Sequence, residues 1–116
     1  MNIFGGNVDD HTKNFSFMLP KGGIWHITPA YDITFTMDLD APFYMNRHEL
    51  SLCGKVDSIT RSDLLQFARE NSIKSASTML ERVLQVLSDW LSYACRARVP
   101  EPVATRMAQY INTLIE

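Results

Sequence analysis

A broad apolar stripe in the carboxy-terminal half limits the fold more than any other feature of this sequence. Leu80, Val83, Leu84, Leu87, Leu91 and Ala94 recur at helical spacing, and Met79, Val86 and Trp90 widen the stripe. The pattern predicts one long helix over residues 75–97, which at 1.5 Å per residue would span roughly 33 Å. A face this wide has to be covered on more than one side. Thr60 with Asp63 approximates a capping box and opens a shorter helix through about Glu70, with Leu64, Phe67 and Ala68 turned inward. Asn71-Ser72 ends it. Pro100 and Pro102 break the long helix and start a last one, with Val103, Met107, Tyr110, Ile111 and Leu114 on one face. Met and aromatic positions on such faces belong to a core rather than to a cofactor box. Met1-Asn2-Ile3-Phe4 reads as the last turn of a further helix. A stripe left partly uncovered invites pairing with a second copy, so a homodimer through exposed helix faces is one expectation.

The first half reads differently. Residues 14–19 form a short strand with Phe15 and Phe17 on one face. Pro20-Lys21-Gly22-Gly23 is a turn, with Pro fixing one dihedral and Gly free to take positive φ. Residues 24–28 return, with Trp25 and Ile27 on the same face and His26 turned to solvent or to a polar neighbour. Folding back places Asn14 opposite Thr28 or Pro29, so Asp32 lies a few residues beyond. Residues 34–46 show no period and carry Asp38, Asp40 and Pro42, with Phe43 and Tyr44 exposed. This long loop reads either as a mobile, substrate-facing segment or as a surface excursion. Residues 47–53 suggest a short strand ended by Gly54, and Lys55-Val56-Asp57-Ser58 a connector. The length allows one domain, α+β and mostly helical: residues 1–56 carry loops and hairpin, and residues 57–116 the helices.

The chemistry is concentrated in Asn7-Val8-Asp9-Asp10-His11-Thr12-Lys13-Asn14. Asp9 and Asn14 stand five apart, as do the Asp and Asn of H-R-D-x-x-x-x-N. In that kinase loop the Asp accepts the substrate hydroxyl's proton and the Asn holds Mg²⁺. Asp10 rivals Asp9 for the base, but its spacing to Asn14 is four. Lys13 could stabilise charge on a transferring phosphoryl group or form a salt bridge to Asp9 or Asp10. One His without a second nearby makes a poor metal site, so His11 is expected to orient the loop by hydrogen bonding. Tyr31-Asp32-Ile33 adds one more carboxylate after the return strand.

The same residues, followed by Phe15-Ser16-Phe17 and then by Trp25-His26-Ile27-Thr28-Pro29-Ala30-Tyr31-Asp32-Ile33, resemble the HipA family of bacterial serine/threonine kinases, toxins of toxin–antitoxin pairs. The likeness is specific over residues 3–34 and continues more loosely through His48-Glu49-Leu50-Ser51-Leu52-Cys53-Gly54-Lys55. It implies a kinase-like carboxy-terminal lobe in which Asp9 is the catalytic Asp, Asn14 a Mg²⁺ ligand, and Asp32 the counterpart of the Mg²⁺-binding Asp of D-F-G. Ile33 and Thr34 replace the Phe and Gly of that motif, so its Phe-packing switch does not carry over. The resemblance implies Mg²⁺ and ATP as cofactors, a serine on a protein as substrate, and a DNA-binding antitoxin of the HipB type as partner. An ATP-binding lobe is the missing part: Gly5-Gly6 and Gly22-Gly23 are not a G-x-G-x-x-G loop, and the sequence offers no ATP-contacting Lys. The chain therefore reads as the carboxy-terminal part of a kinase. The alternative is a noncatalytic helical interaction module whose acidic loop is a relic.

Composition narrows the remaining classes. With 46% apolar and 21% charged residues the chain can build a packed core. A net charge of −2 leaves no footprint for nucleic acid or an anionic membrane. Cys53 and Cys95 form no C-x-x-C and are expected to be reduced and buried. No signal peptide or membrane-length apolar run is visible, so the cytoplasm is the expected compartment.

Overall fold

Gly6 decides where the first helix becomes a loop. It caps α1 (Asn2–Gly5) in the left-handed region, φ 70°, with its N–H bonded to the Asn2 carbonyl. A Cβ at this position would lie 2.5 Å from Phe35 Cε2, so only glycine allows the approach. The computed structural model describes residues 1–115, apart from the side chain of Phe43. The exposure expected for Phe43 thus lies outside the described residues.

The hairpin forms, but it is shorter than its sequence pattern. Strands β1 (Phe17–Met18) and β2 (His26–Ile27) pair antiparallel, Phe17 opposite Ile27 and Met18 opposite His26. The Gly23 N–H bonds Pro20 O at 2.9 Å to close the turn, and the Thr28 N–H extends the ladder to Ser16 O at 2.9 Å. Asn14 is therefore not opposite Thr28 or Pro29. It ends a 3₁₀ turn, Thr12–Asn14, whose own bond from Asn14 N–H to His11 O withdraws it from the ladder. No layer of the described residues covers the hairpin: Phe17 is 65% exposed and Trp25 67%.

The strand expected at residues 47–53 is absent. His48 N–H bonds Val56 O at 2.7 Å and Glu49 N–H bonds Val8 O at 3.1 Å, which leaves a single bridge between Leu52 and Lys55. Cys53 (φ 51°) and Gly54 (φ 78°) form the turn between them. Positive φ at both central residues is the pattern of a type I′ connection.

Residues 34–46 contain one 3₁₀ turn, Phe43–Met45, and are fastened to the last helix. Buried Asn46 accepts from Asp38 N–H (2.8 Å) and donates to Asp38 O (3.0 Å) and the Tyr110 hydroxyl (3.1 Å). Arg106 donates to Leu39 O and the Asp40 carboxylate, and Phe35 meets Tyr110 edge-on. Met37 is buried beneath. Burial raises the Tyr110 pKa above its ordinary value, although the Asn46 bond acts in the opposite direction.

The helical half contains α2 (Arg61–Glu70), α3 (Ala76–Ser88), α4 (Trp90–Arg96) and α5 (Glu101–Ile115). The capping box of α2 is present in both directions. The single helix expected over 75–97 is instead two, joined at Asp89 (φ −89°, ψ 11°). The Ser88 hydroxyl bonds Gln85 O at 2.7 Å, and the Asp89 N–H turns to Val86 O in an i→i−3 bond. Side chains that bond nearby carbonyls compete with the helical ladder. Beyond the joint, Trp90 Nε1 reaches Ala104 O on α5 at 3.0 Å.

Phe4, Leu80, Leu87 and Ile111 form the core, with Phe35, Leu64, Val83, Leu84, Trp90 and Leu114 packed around them. Phe67, Met79, Val86, Leu91 and Val103, expected inside, are exposed. On α5 the buried positions are Ala104 and Ile111. Both cysteines are free, but they are exposed rather than buried, Cys53 in its turn and Cys95 on α4. The fold is α+β, mostly helical with one two-stranded antiparallel sheet. Among the described residues no helix is long and apolar enough to cross a membrane.

The α2 cap carries a pH signature. Lys55 Nζ lies 2.8 Å from both Asp63 oxygens, and Thr60 donates through its N–H and hydroxyl. The Lys55 bond first, then those from Thr60, hold the Asp63 carboxyl down to about 2 from an ordinary 3.8. A carboxyl depressed by folding stabilises the native state above its unfolded pKa, and that contribution disappears as pH falls toward the folded value. Urea unfolding of wild type and Asp63→Asn at stepped pH should therefore show a gap that is full at pH 5 and closes between about pH 4 and 2.

Candidate functional site

Two stretches distant in sequence meet through one hydroxyl. Thr36 Oγ1 accepts from the Val8 N–H at 2.8 Å and the Asp9 N–H at 3.1 Å, and donates to Asn7 Oδ1 at 3.3 Å. Gly6 O accepts from the N–H groups of Thr36 (2.9 Å) and Met37 (3.2 Å). Buried Asn7 sends its Nδ2 to Asp32 O at 3.1 Å. The loop of Asp9 and the segment of Asp32 are thus bonded to each other without a shared sheet. Asp32 takes φ 54°, a left-handed conformation that Asp tolerates better than most residues.

Asp9 is held by its backbone and released at its side chain. Its N–H goes to Thr36, and its C=O accepts from Asn14 Nδ2 at 3.0 Å. Its side chain is 59% exposed, with His11 Nε2 3.7 Å from Oδ1, too far for a hydrogen bond. His11 Nδ1 is buried and has no partner, so the hydrogen-bonding role expected of His11 is not seen. Among the described residues Lys13 makes no ion pair with Asp9 or Asp10. Its carbonyl accepts from the Tyr31 hydroxyl at 2.7 Å, and that hydroxyl also meets Ser16 Oγ at 2.6 Å.

Asn14 and Asp32 line one small cavity of about 110 Å³, with Ser16, Thr28 and Tyr31 among its other walls. Asp9 does not line it but adjoins it through the Asn14 bond. Asp10 points elsewhere. Its buried carboxylate accepts from the Glu49 N–H (3.1 Å) and Leu50 N–H (3.2 Å), and its Oδ2 lies 2.9 Å from His48 Nδ1. Sequence reasoning did not find Asn7, Thr36, Tyr31 or His48. Asn7 and Tyr31 stood within the strings that carry the specific likeness and His48 within the looser one, but none was given a role, and Thr36 carried no signal.

The donor set suits a hard cation delivered with phosphate. Asn14 commits its Nδ2 to Asp9 O, so its Oδ1 is the atom left to coordinate. Among the described residues the Asp32 side chain is exposed and takes part in no ion pair. Nor do three or more His, Cys, Asp or Glu side chains cluster there to hold a metal by themselves. Mg²⁺ is commonly bound through one or two protein oxygens plus substrate phosphates and water, which matches two ligands rather than a full cage.

Thr36→Val keeps the shape and deletes the hydroxyl, leaving two N–H groups and one carboxamide oxygen without their partner. We expect a loss of about 1–3 kcal/mol in chemical denaturation, with Thr36→Ser close to wild type.

The family model described as the HipA-like C-terminal domain matches residues 1–92. Comparison with curated proteins and with solved structures gives no match. The matched span includes the whole site, from Asn7 through Thr36 to His48, and most of the chain, which therefore belongs to the HipA-like C-terminal domain family.

Proposed function

We propose that this chain is the catalytic part of a HipA-like toxin kinase, which transfers the γ-phosphoryl group of ATP to a serine on a protein target. One observation carries the reading: Asn14 and Asp32 line the same cavity, while the exposed Asp9 carboxylate, joined to Asn14 through its backbone, has no hydrogen bond of its own among the described residues. Asp9 would orient the serine hydroxyl and accept its proton, contributing typically about 10²–10⁴ in rate. Lys13, which makes no ion pair among the described residues, would stabilise charge on the transferring group. Asn14 Oδ1 and the Asp32 carboxylate would hold Mg²⁺, which would supply positive charge to offset the negative charge developing in the transfer. The capture of Asp10 by His48 and two backbone N–H groups supports Asp9, rather than Asp10, as the base.

An ATP-binding lobe supplied by another segment or chain completes this reading, and the kinase lobe fold, the cytoplasmic setting and an antitoxin of the HipB type belong to the same proposal. The bare apolar face of Phe17, Trp25 and Ile27 offers such a lobe a seat. That face also favours a second reading, a noncatalytic module that docks through the hairpin.

Phosphoryl transfer depends mostly on positioning and electrostatics, so the chain alone should give no measurable ATP turnover in a phosphotransfer assay. Joined to its ATP-binding lobe, Asp9→Asn should lose turnover while nucleotide titration shows Mg²⁺–ATP affinity retained. Asp32→Asn should lose both, because a neutral carboxamide is a poorer ligand for a hard cation. Full activity in Asp9→Asn with turnover lost in Asp10→Asn would put the register wrong by one residue, and a completed wild-type protein without turnover would favour the docking module.

A further inference from the structure

Asp10 and His48 make a buried polar contact that the proposed chemistry does not use. Their side chains are 6% and 5% exposed, and Asp10 Oδ2 lies 2.9 Å from His48 Nδ1. Withdrawing such groups from water is costly unless their bonding capacity is met, and apolar residues of similar volume would fill the space without that cost. Packing alone therefore does not account for the pair, but its position does. Asp10 directly follows Asp9, whose N–H and C=O are already held by Thr36 and Asn14. Asp10 supplies a third anchor. The Glu49 N–H is shared between Val8 O and Asp10 Oδ1, both at 3.1 Å, so residues 48–50 are stitched across the loop. His48 is itself fixed by its N–H bond to Val56 O.

The topology gives this contact its consequence. The chain leaves the Asp9 loop's neighbourhood at Thr36, makes the excursion fastened to α5 by Asn46 and Arg106, and returns at His48. Both ends of the excursion thus grip the loop that presents Asp9, Thr36 at residues 7–9 and His48 at residue 10.

We propose that Asp10 and His48 are positioning residues that fix the backbone from which Asp9 projects. As a statement about catalysis this rests on the phosphotransfer reading; as a statement about the loop it does not. The test uses His48→Leu, which removes the donor, and His48→Asn, whose Nδ2 presents one from the same branch point. In the chain, amide hydrogen exchange of Val8 and Asp9 is the decisive readout, because both amides bond Thr36 and neither bonds Asp10. His48→Leu should accelerate their exchange about tenfold while that of Ile111 on α5 changes less than about twofold, and His48→Asn should return it toward wild type. In the kinase completed by its ATP-binding lobe, His48→Leu should lower kcat roughly 10- to 100-fold with KM for Mg²⁺–ATP within about twofold, since small misplacements of a reacting group act at that scale. Asp10→Asn keeps the two backbone bonds and alters only the His48 contact. It should show the same pattern in smaller measure, and it replaces His48→Leu if that variant does not fold. Wild-type exchange at Val8 and Asp9 would overturn the proposal. So would a uniform loss of protection that His48→Asn does not rescue, because the pair would then serve stability alone. A wild-type kinase without turnover, beside the expected exchange pattern, would overturn the phosphotransfer reading and leave the loop-holding role supported.

Discussion

The Thr36 hydroxyl is the constraint on which the site depends. A hydroxyl offers one donor and two acceptor positions, and Thr36 uses all three, toward Asn7, Val8 and Asp9. Gly6 O is likewise used twice, by Thr36 and Met37. Each bond contributes only about 0.5–1.5 kcal/mol net, so the pairing matters less for its sum than for what fails without it. The half-buried Val8 N–H and the exposed Asp9 N–H would lose their partner, and the Asp32 segment would lose its register against Asp9. Gly6 permits this because the Phe35 ring occupies the space a side chain would need.

Around that join, the loop divides its polar groups into two populations. Backbone groups at residues 7–9 and the Asp10 carboxylate are saturated by partners, whereas among the described residues the Asp32 carboxylate and the Lys13 ammonium take part in no ion pair and the Asp9 carboxylate has only His11 Nε2 near it, at 3.7 Å. Such a division is what preorganised electrostatics requires. Groups meant to meet developing charge have to be unneutralised beforehand, and the scaffold holding them has to be fixed so that no reorganisation accompanies the reaction. The neighbours Asp9 and Asp10, identical in chemistry, fall on opposite sides of the division because one has His48 and the N–H groups of Glu49 and Leu50 within reach.

How much of this was legible in the sequence follows from the range of each interaction. The Thr60–Asp63 box, the Pro20–Gly23 turn and the start of α5 after Pro100 were readable because each is settled within three or four residues. The break at Asp89 was not, because Leu91 and Ala94 keep the apolar period running through it; the competing Ser88 hydroxyl was the only local sign. The strand expected at 47–53 failed because its neighbour at Val8 lies in a loop that offers one bond rather than a ladder. Asn14 and Asp32 do line one cavity, although the fold-back register expected to bring them together is not the one that forms. The residues that hold the site together, Thr36 and His48, act across 27 to 38 positions, where no periodicity or cap announces a partner.

The hairpin shows why the site and its surroundings cannot be treated separately. A two-stranded ribbon is marginal in water without a layer against it, and this one leaves Phe17, Trp25 and Ile27 bare. Its base is tied down instead, by Thr28 N–H to Ser16 O and by the Tyr31 hydroxyl, which joins Ser16 to the Lys13 carbonyl. Those tethers are the walls of the cavity that Asn14 and Asp32 share, with Phe15 and Ile27 beside them. Any body that covers the apolar face therefore bears on the groups that set the distance between Asn14 and Asp32. Cover on the hairpin and the cavity that Asn14 and Asp32 share meet at Ile27, which belongs to both.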